Sequence, residues 1–76
     1  MKMSMLTGLR PGQLGRIIAI EGGWGIRQRL SLRGISEGTI VRMISSQHGP
    51  TVVEVDRNIV ALGRGMAQKI RVMGGE

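Results

Sequence analysis

The side chains that could ligate a metal or move a proton are few and scattered. His48 is the only histidine, there is no cysteine, and the five acids lie apart at Glu21, Glu37, Glu54, Asp56 and Glu76. No Ser/His/Asp or Cys/His set can be assembled around His48. As a loop histidine beside Gly49-Pro50 it reads as solvated, available to a partner rather than to catalysis. The acids are expected to pair with neighbouring arginines, at about 0–1 kcal/mol each, rather than to form an acid/base couple. Met1, Met3 and Met5 offer soft thioethers of the kind that bind Cu(I). The plainer reading is favoured: an initiator followed by adaptable apolar residues covering one end of the core. No catalytic residue, metal ligand or cofactor site is predicted, and the chain does not read as an enzyme.

One stretch does carry a candidate site. Gly22-Gly23-Trp24-Gly25 opens into a segment with Ile26 and Leu30 on one helical face, leaving Arg27, Arg29 and Arg33 off it. A glycine loop before a helix can cradle phosphate, but the lysine and Ser/Thr of a phosphate-binding loop are missing, and Trp24 would crowd the cradle. Tryptophan and arginine are the residues enriched at interface hot spots, so Trp24 with Arg27, Arg29 and Arg33 forms a candidate docking patch, to which His48 is added.

The elements that must hold this patch follow from pattern. Gly34 sits where a left-handed C-terminal cap ends the helix, and Ile35 beyond it can pack back. Ser36 to Thr39 reads as a tight turn feeding a strand from Thr39 to Ile44. Upstream, residues 1–5 look frayed, Leu6 and Leu9 make one helical turn as a lid, and Arg10-Pro11-Gly12 breaks it. Gln13 to Ile20 is a long strand in which the adjacent Ile17 and Ile18 point to curling or a bulge. After a polar loop over 45–50 come Thr51 to Val55, a short connection at 56–58, Ile59 to Leu62, a turn at Met66-Ala67 that plugs the second end, and Ile70 to Met73. Residues 74–76 read as a loose tail. The expected fold is all-β, one domain over 1–76: a small, half-open SH3-like β-barrel of about five strands, with one short helix inserted after the first long strand.

Composition narrows the partners. In 76 residues the core is thin, because a chain of this size buries only about 60–65% of its unfolded surface. The net charge is +6, from eleven lysines and arginines against five acids. That balance suits an anionic partner, but the cations are dispersed from Arg10 to Arg71, unlike a polybasic tail. Trp24 is the one aromatic residue, which argues against nucleic acid, since single-strand binding needs stacking platforms. No hydrophobic run suits a signal peptide or a membrane span, so a cytoplasmic location without membrane insertion is expected.

Read as a whole, the chain resembles the FeoA family, which includes small ferrous iron transport proteins and the SH3-like C-terminal domain of iron- and manganese-responsive repressors. The resemblance rests on Leu6-x-x-Leu9-x-Pro11-Gly12, on Ile17-x-x-Ile20-x-Gly22-Gly23, and on Arg29-Leu30-x-x-x-Gly34-Ile35-x-x-Gly38-Thr39. It continues through Pro50, Val52-x-x-Val55, Ala61-Leu62 and Ala67-x-x-Ile70-x-Val72. It implies an SH3-like barrel and a non-enzymatic adaptor that acts on the cytoplasmic portion of FeoB, a GTP-binding membrane transporter of ferrous iron. The adaptor would be a monomer or weak homodimer, recruited to the inner face of the membrane by that partner. The loop from Ser45 to Pro50 is more polar than is common in the family, and Trp24 stands where a small or polar residue is common, which shifts the expected contacts toward Trp24. Two alternatives from other classes are a basic β-barrel that binds nucleic acid and a detached metal-responsive regulator domain.

Overall fold

Short runs of alternating aliphatic residues set the sheet. The computed structural model describes residues 2–74. Among these residues there are six strands: β1 (Lys2–Met5), β2 (Leu14–Ile20), β3 (Ile40–Ser45), β4 (Thr51–Val55), β5 (Asn58–Leu62) and β6 (Ile70–Gly74). They form one antiparallel sheet in the order β1-β6-β2-β3-β4-β5. The curled sheet is SH3-like but not closed, and β1 and β5 stand at its two edges. Helix α1 (Trp24–Ser31) is inserted between β2 and β3, and a one-turn helix α2 (Arg64–Ala67) separates β5 from β6.

Period-two alternation puts Val41 and Met43 of β3, Thr51, Val53 and Val55 of β4, Val60 and Leu62 of β5, and Ile70 and Val72 of β6 in the interior. In β2 the inward set changes parity, from Gly15 and Ile17 to Ile20. The register against β6 shifts between Ile17 and Ala19, so Ile18 is the extra residue of a bulge. That bulge is why two adjacent isoleucines fit one curved strand. Leu6 and Leu9, bridged by a 3₁₀ turn whose Leu9 N–H donates to the Leu6 carbonyl at 3.1 Å, are both buried over one end. Ala67 and Met66 of α2 pack on the core from the turn that follows β5.

The helix stop follows the expected chemistry. The N–H of Ile35 donates to the Leu30 carbonyl and that of Gly34 to the Ser31 carbonyl, both at 2.9 Å, while Gly34 takes φ +81°. Only a residue without a Cβ adopts that conformation cheaply, and the reversal it makes drives Ile35 back into the core beside Leu30.

Two expectations at the ends are corrected. Lys2–Met5 is not frayed but is strand β1, because each of its residues finds a partner on β6: Lys2 opposite Gly74, Met3 opposite Met73, Ser4 opposite Val72 and Met5 opposite Arg71. Gly74 therefore belongs to β6 rather than to a loose tail, and the strands number six rather than about five. The remainder of the expected frayed ends, residue 1 and residues 75–76, lies outside the described residues.

Candidate functional site

The helix period divides the predicted patch into two flanks. Ile26 and Leu30 face the core, with Leu30 only 1% exposed. Around them, Trp24 and Arg27 at i,i+3 share one flank, and Arg29 and Arg33 at i,i+4 share the other. Trp24 is 74% exposed, displayed rather than packed on the sheet. Arg27 reaches the turn after the helix, with Nη1 at 3.1 Å from Oε2 of Glu37. Both side chains are about half exposed, so this pair orders the first flank rather than stabilising the fold by much.

The glycines before Trp24 have a packing explanation. Gly22 holds φ +115°, and a Cβ placed there would lie 2.7 Å from Cδ1 of Ile26. The tight approach of loop to helix thus requires glycine at Gly22 without any phosphate. Among the described residues no group of three or more His, Cys, Asp or Glu side chains could hold a metal ion.

The second flank borders a groove. Arg29, Leu30, Leu32 and Arg33 line one side of a hollow of about 380 Å³ whose other side is Ala61, Leu62, Gly63 and Met66. A neighbouring, shallower groove of about 680 Å³ runs between Leu32, Arg33 and Gly34 on the helix side and Asn58 to Ala61 on β5. Arg33 ties the two sides together, its Nη1 donating to the Ala61 carbonyl at 2.7 Å. Among the described residues, no acid lines either hollow. Among the described residues, the ion pairs Arg27–Glu37, Arg42–Glu54 and Arg71–Glu21 engage acids elsewhere.

His48 is placed apart from this helix region. It occupies the loop after β3 at φ +53° and lines a hollow with Leu9, Arg10, Pro11, Ser45, Ser46 and Gln47, none of them from the helix. Two further residues, not singled out by the sequence pattern, reach the groove. Leu32 is 83% exposed and Ile59 is 62% exposed. The signal for Leu32 was available: it lies on the polar side of the face defined by Ile26 and Leu30. That for Ile59 was available too, since it is out of phase with the buried Val60 and Leu62; what local pattern lacked was that β5 is an edge strand bordering a groove.

Together these features define an SH3-like domain with surface grooves beside one inserted helix. Residues 4–73 match the FeoA domain, and the chain belongs to the FeoA family. It is 39% identical over 57 residues to a protein of Methanocaldococcus jannaschii provisionally named Fe(2+) transport protein A, a match covering 75% of this chain and 70% of that one. Its fold superposes with a TM-score of 0.89 on the crystal structure of an iron uptake regulatory protein (FeoA), at 28% identity over 97% of this chain and 99% of the other. The IdeR protein of T. acidophilum gives a TM-score of 0.87 at 24% identity, with 97% of this chain matching 35% of that longer one, a likeness of fold alone. No described helix is long and apolar enough to cross a membrane.

Proposed function

We propose that this chain is a protein-binding adaptor that supports ferrous iron uptake by docking on the cytoplasmic portion of a FeoB-type transporter. Membership of the FeoA family supplies the process, and the displayed Trp24 supplies the surface. A tryptophan left 74% exposed on a helix that the sheet already holds in place presents a rigid apolar anchor with few rotamers to freeze on binding. Arg27, held by Glu37, lies one turn along the same flank and gives the anchor a charged rim. On this reading Trp24 and Arg27 make the primary contact, with Arg29 and Arg33 extending it around the helix and His48 outside it. The domain acts as a monomer or weak homodimer in the cytoplasm and reaches the membrane only through its partner.

Calorimetric titration of the purified chain into the transporter's cytoplasmic GTP-binding portion tests this. Trp24→Ala is expected to weaken binding by about tenfold or more, as for a hot-spot aromatic, while leaving the melting temperature unchanged. Absence of binding by the unaltered chain refutes the adaptor reading. Equal affinity of the Trp24→Ala variant removes the helix flank from the interface.

A further inference from the structure

From the groove between α1 and β5 we infer a second recognition site, one that takes an extended acidic segment of a protein partner as an added strand. β5 is an edge of the sheet. Its hairpin with β4 turns on the two residues Asp56 and Arg57, both at positive φ, with Val55 opposite Asn58. In such a two-residue hairpin the residues flanking the turn exchange hydrogen bonds, so Asn58, Val60 and Leu62 point their backbone groups at β4. Ile59 and Ala61 therefore point theirs outward, along the groove.

That edge is guarded rather than sealed. The Arg33 guanidinium donates to the Ala61 carbonyl, and charged side chains laid over an edge are a common protection against unwanted strand pairing. An incoming strand must displace this contact, which releases a guanidinium into the groove. A carboxylate on the incoming strand then recovers the lost bond as a charge-assisted one, so the same arginine that excludes neutral strands selects acidic ones. Arg29 lies beside it, and among the described residues no acid lines the groove to compete. The wall opposite the edge ends in the exposed Leu32, which suits an apolar residue alternating with the acidic ones.

Charge also chooses the class of occupant. A second copy of this chain would bring the same arginines to the same groove, and its net charge of +6 repels a twin. A nucleic acid has phosphates for the arginines but no backbone amides to continue the ladder from Ile59 and Ala61.

The experiment uses the full chain, isotopically labelled for amide spectroscopy, and an end-blocked peptide of eight residues alternating glutamate with valine, with a lysine-for-glutamate counterpart. The acidic peptide is expected to shift the amide signals of Ile59 and Ala61, and the lysine peptide to leave them unmoved. Arg29→Ala is expected to weaken the acidic peptide by about tenfold, the scale of one close charge pair, and Arg33→Ala to cut the preference for an acidic over a valine-threonine peptide by a similar factor, leaving the share that Arg29 supplies. Because Arg33→Ala also removes a bond to β5, Arg29→Ala is the variant that keeps the test valid if that protein is destabilised. Unmoved Ile59 and Ala61 signals with the acidic peptide, or equal binding of the two charged peptides, overturn the inference. This site shares Arg29 and Arg33 with the outer part of the proposed transporter contact but uses neither Trp24 nor Arg27. Transporter binding without peptide binding removes the strand site and leaves the adaptor reading standing, and peptide binding without transporter binding does the reverse.

Discussion

Two leucines two positions apart provide the sharpest test of how the helix sits. Leu30 is 1% exposed and its carbonyl receives the bond that turns the chain at Gly34, whereas Leu32 is 83% exposed. Replacing Leu30 by alanine removes three carbons from the interior, about 2.4 kcal/mol of transfer free energy at about 0.8 kcal/mol per methylene. The cavity left behind raises the expected cost into the range of about 2–5 kcal/mol. A domain of this size has about 4–11 kcal/mol of stability in total, so the loss is a large share of it. At about 4–8 °C per kcal/mol, even the low end lowers the melting temperature by about 8 °C. Leu32→Ala should cost less than about 0.5 kcal/mol. The assay is urea unfolding followed by far-ultraviolet circular dichroism, because Trp24 is already largely solvated and its emission changes little on unfolding. A Leu30→Ala cost below about 0.5 kcal/mol, or equal costs for the two substitutions, would refute the register of α1 on the sheet.

Other outcomes follow from single positions. Gly34→Ala should lose about 1–2 kcal/mol in the same urea titration, since its φ of +81° is one that a Cβ penalises. Arg57→Gly should raise the urea midpoint, because Arg57 holds φ +71° at the second position of a hairpin turn where Asp-Gly is the favoured pair. Glu37→Gln breaks the half-exposed pair with Arg27 and should cost less than about 1 kcal/mol, with the difference vanishing at high salt. Gel retardation with a short single-stranded RNA at low and physiological salt should show no saturable complex. Tight binding that falls steeply with salt would instead favour the nucleic-acid alternative.

Much of the architecture is legible in local pattern, and the failures have one cause. The cap at Gly34, the bulge at Ile17-Ile18, the turn at Met66-Ala67 and the 3₁₀ turn from Leu6 are all set by residues within a few positions of one another, so their spacing announces them. β1 is different: nothing in Lys2 to Met5 distinguishes a frayed end from a strand until β6 lies alongside it. Edge status is likewise a property of the whole sheet. Ile59 and Ala61 read as ordinary strand residues, and only the strand order leaves their backbone groups unpaired beside a groove. At the candidate site, the helical period foretold that Arg27, Arg29 and Arg33 would avoid the core. It did not convey that they fall on two flanks, one tied to Glu37 and the other to Ala61, since those partners come from distant parts of the chain.

The pairing of Lys2 with Gly74 places the two ends of the described chain side by side, at the spacing of about 4.5–5.5 Å between facing strand residues. A unit whose entrance and exit share one doorway can be spliced into a host, or hung from it on a short tether, without stretching the host or distorting itself. The doorway lies on β1 and β6, at the opposite end of the strand order from β5. A carrier attached there joins strands that do not pair with β5, so the same module can serve alone or as a passenger in a larger molecule.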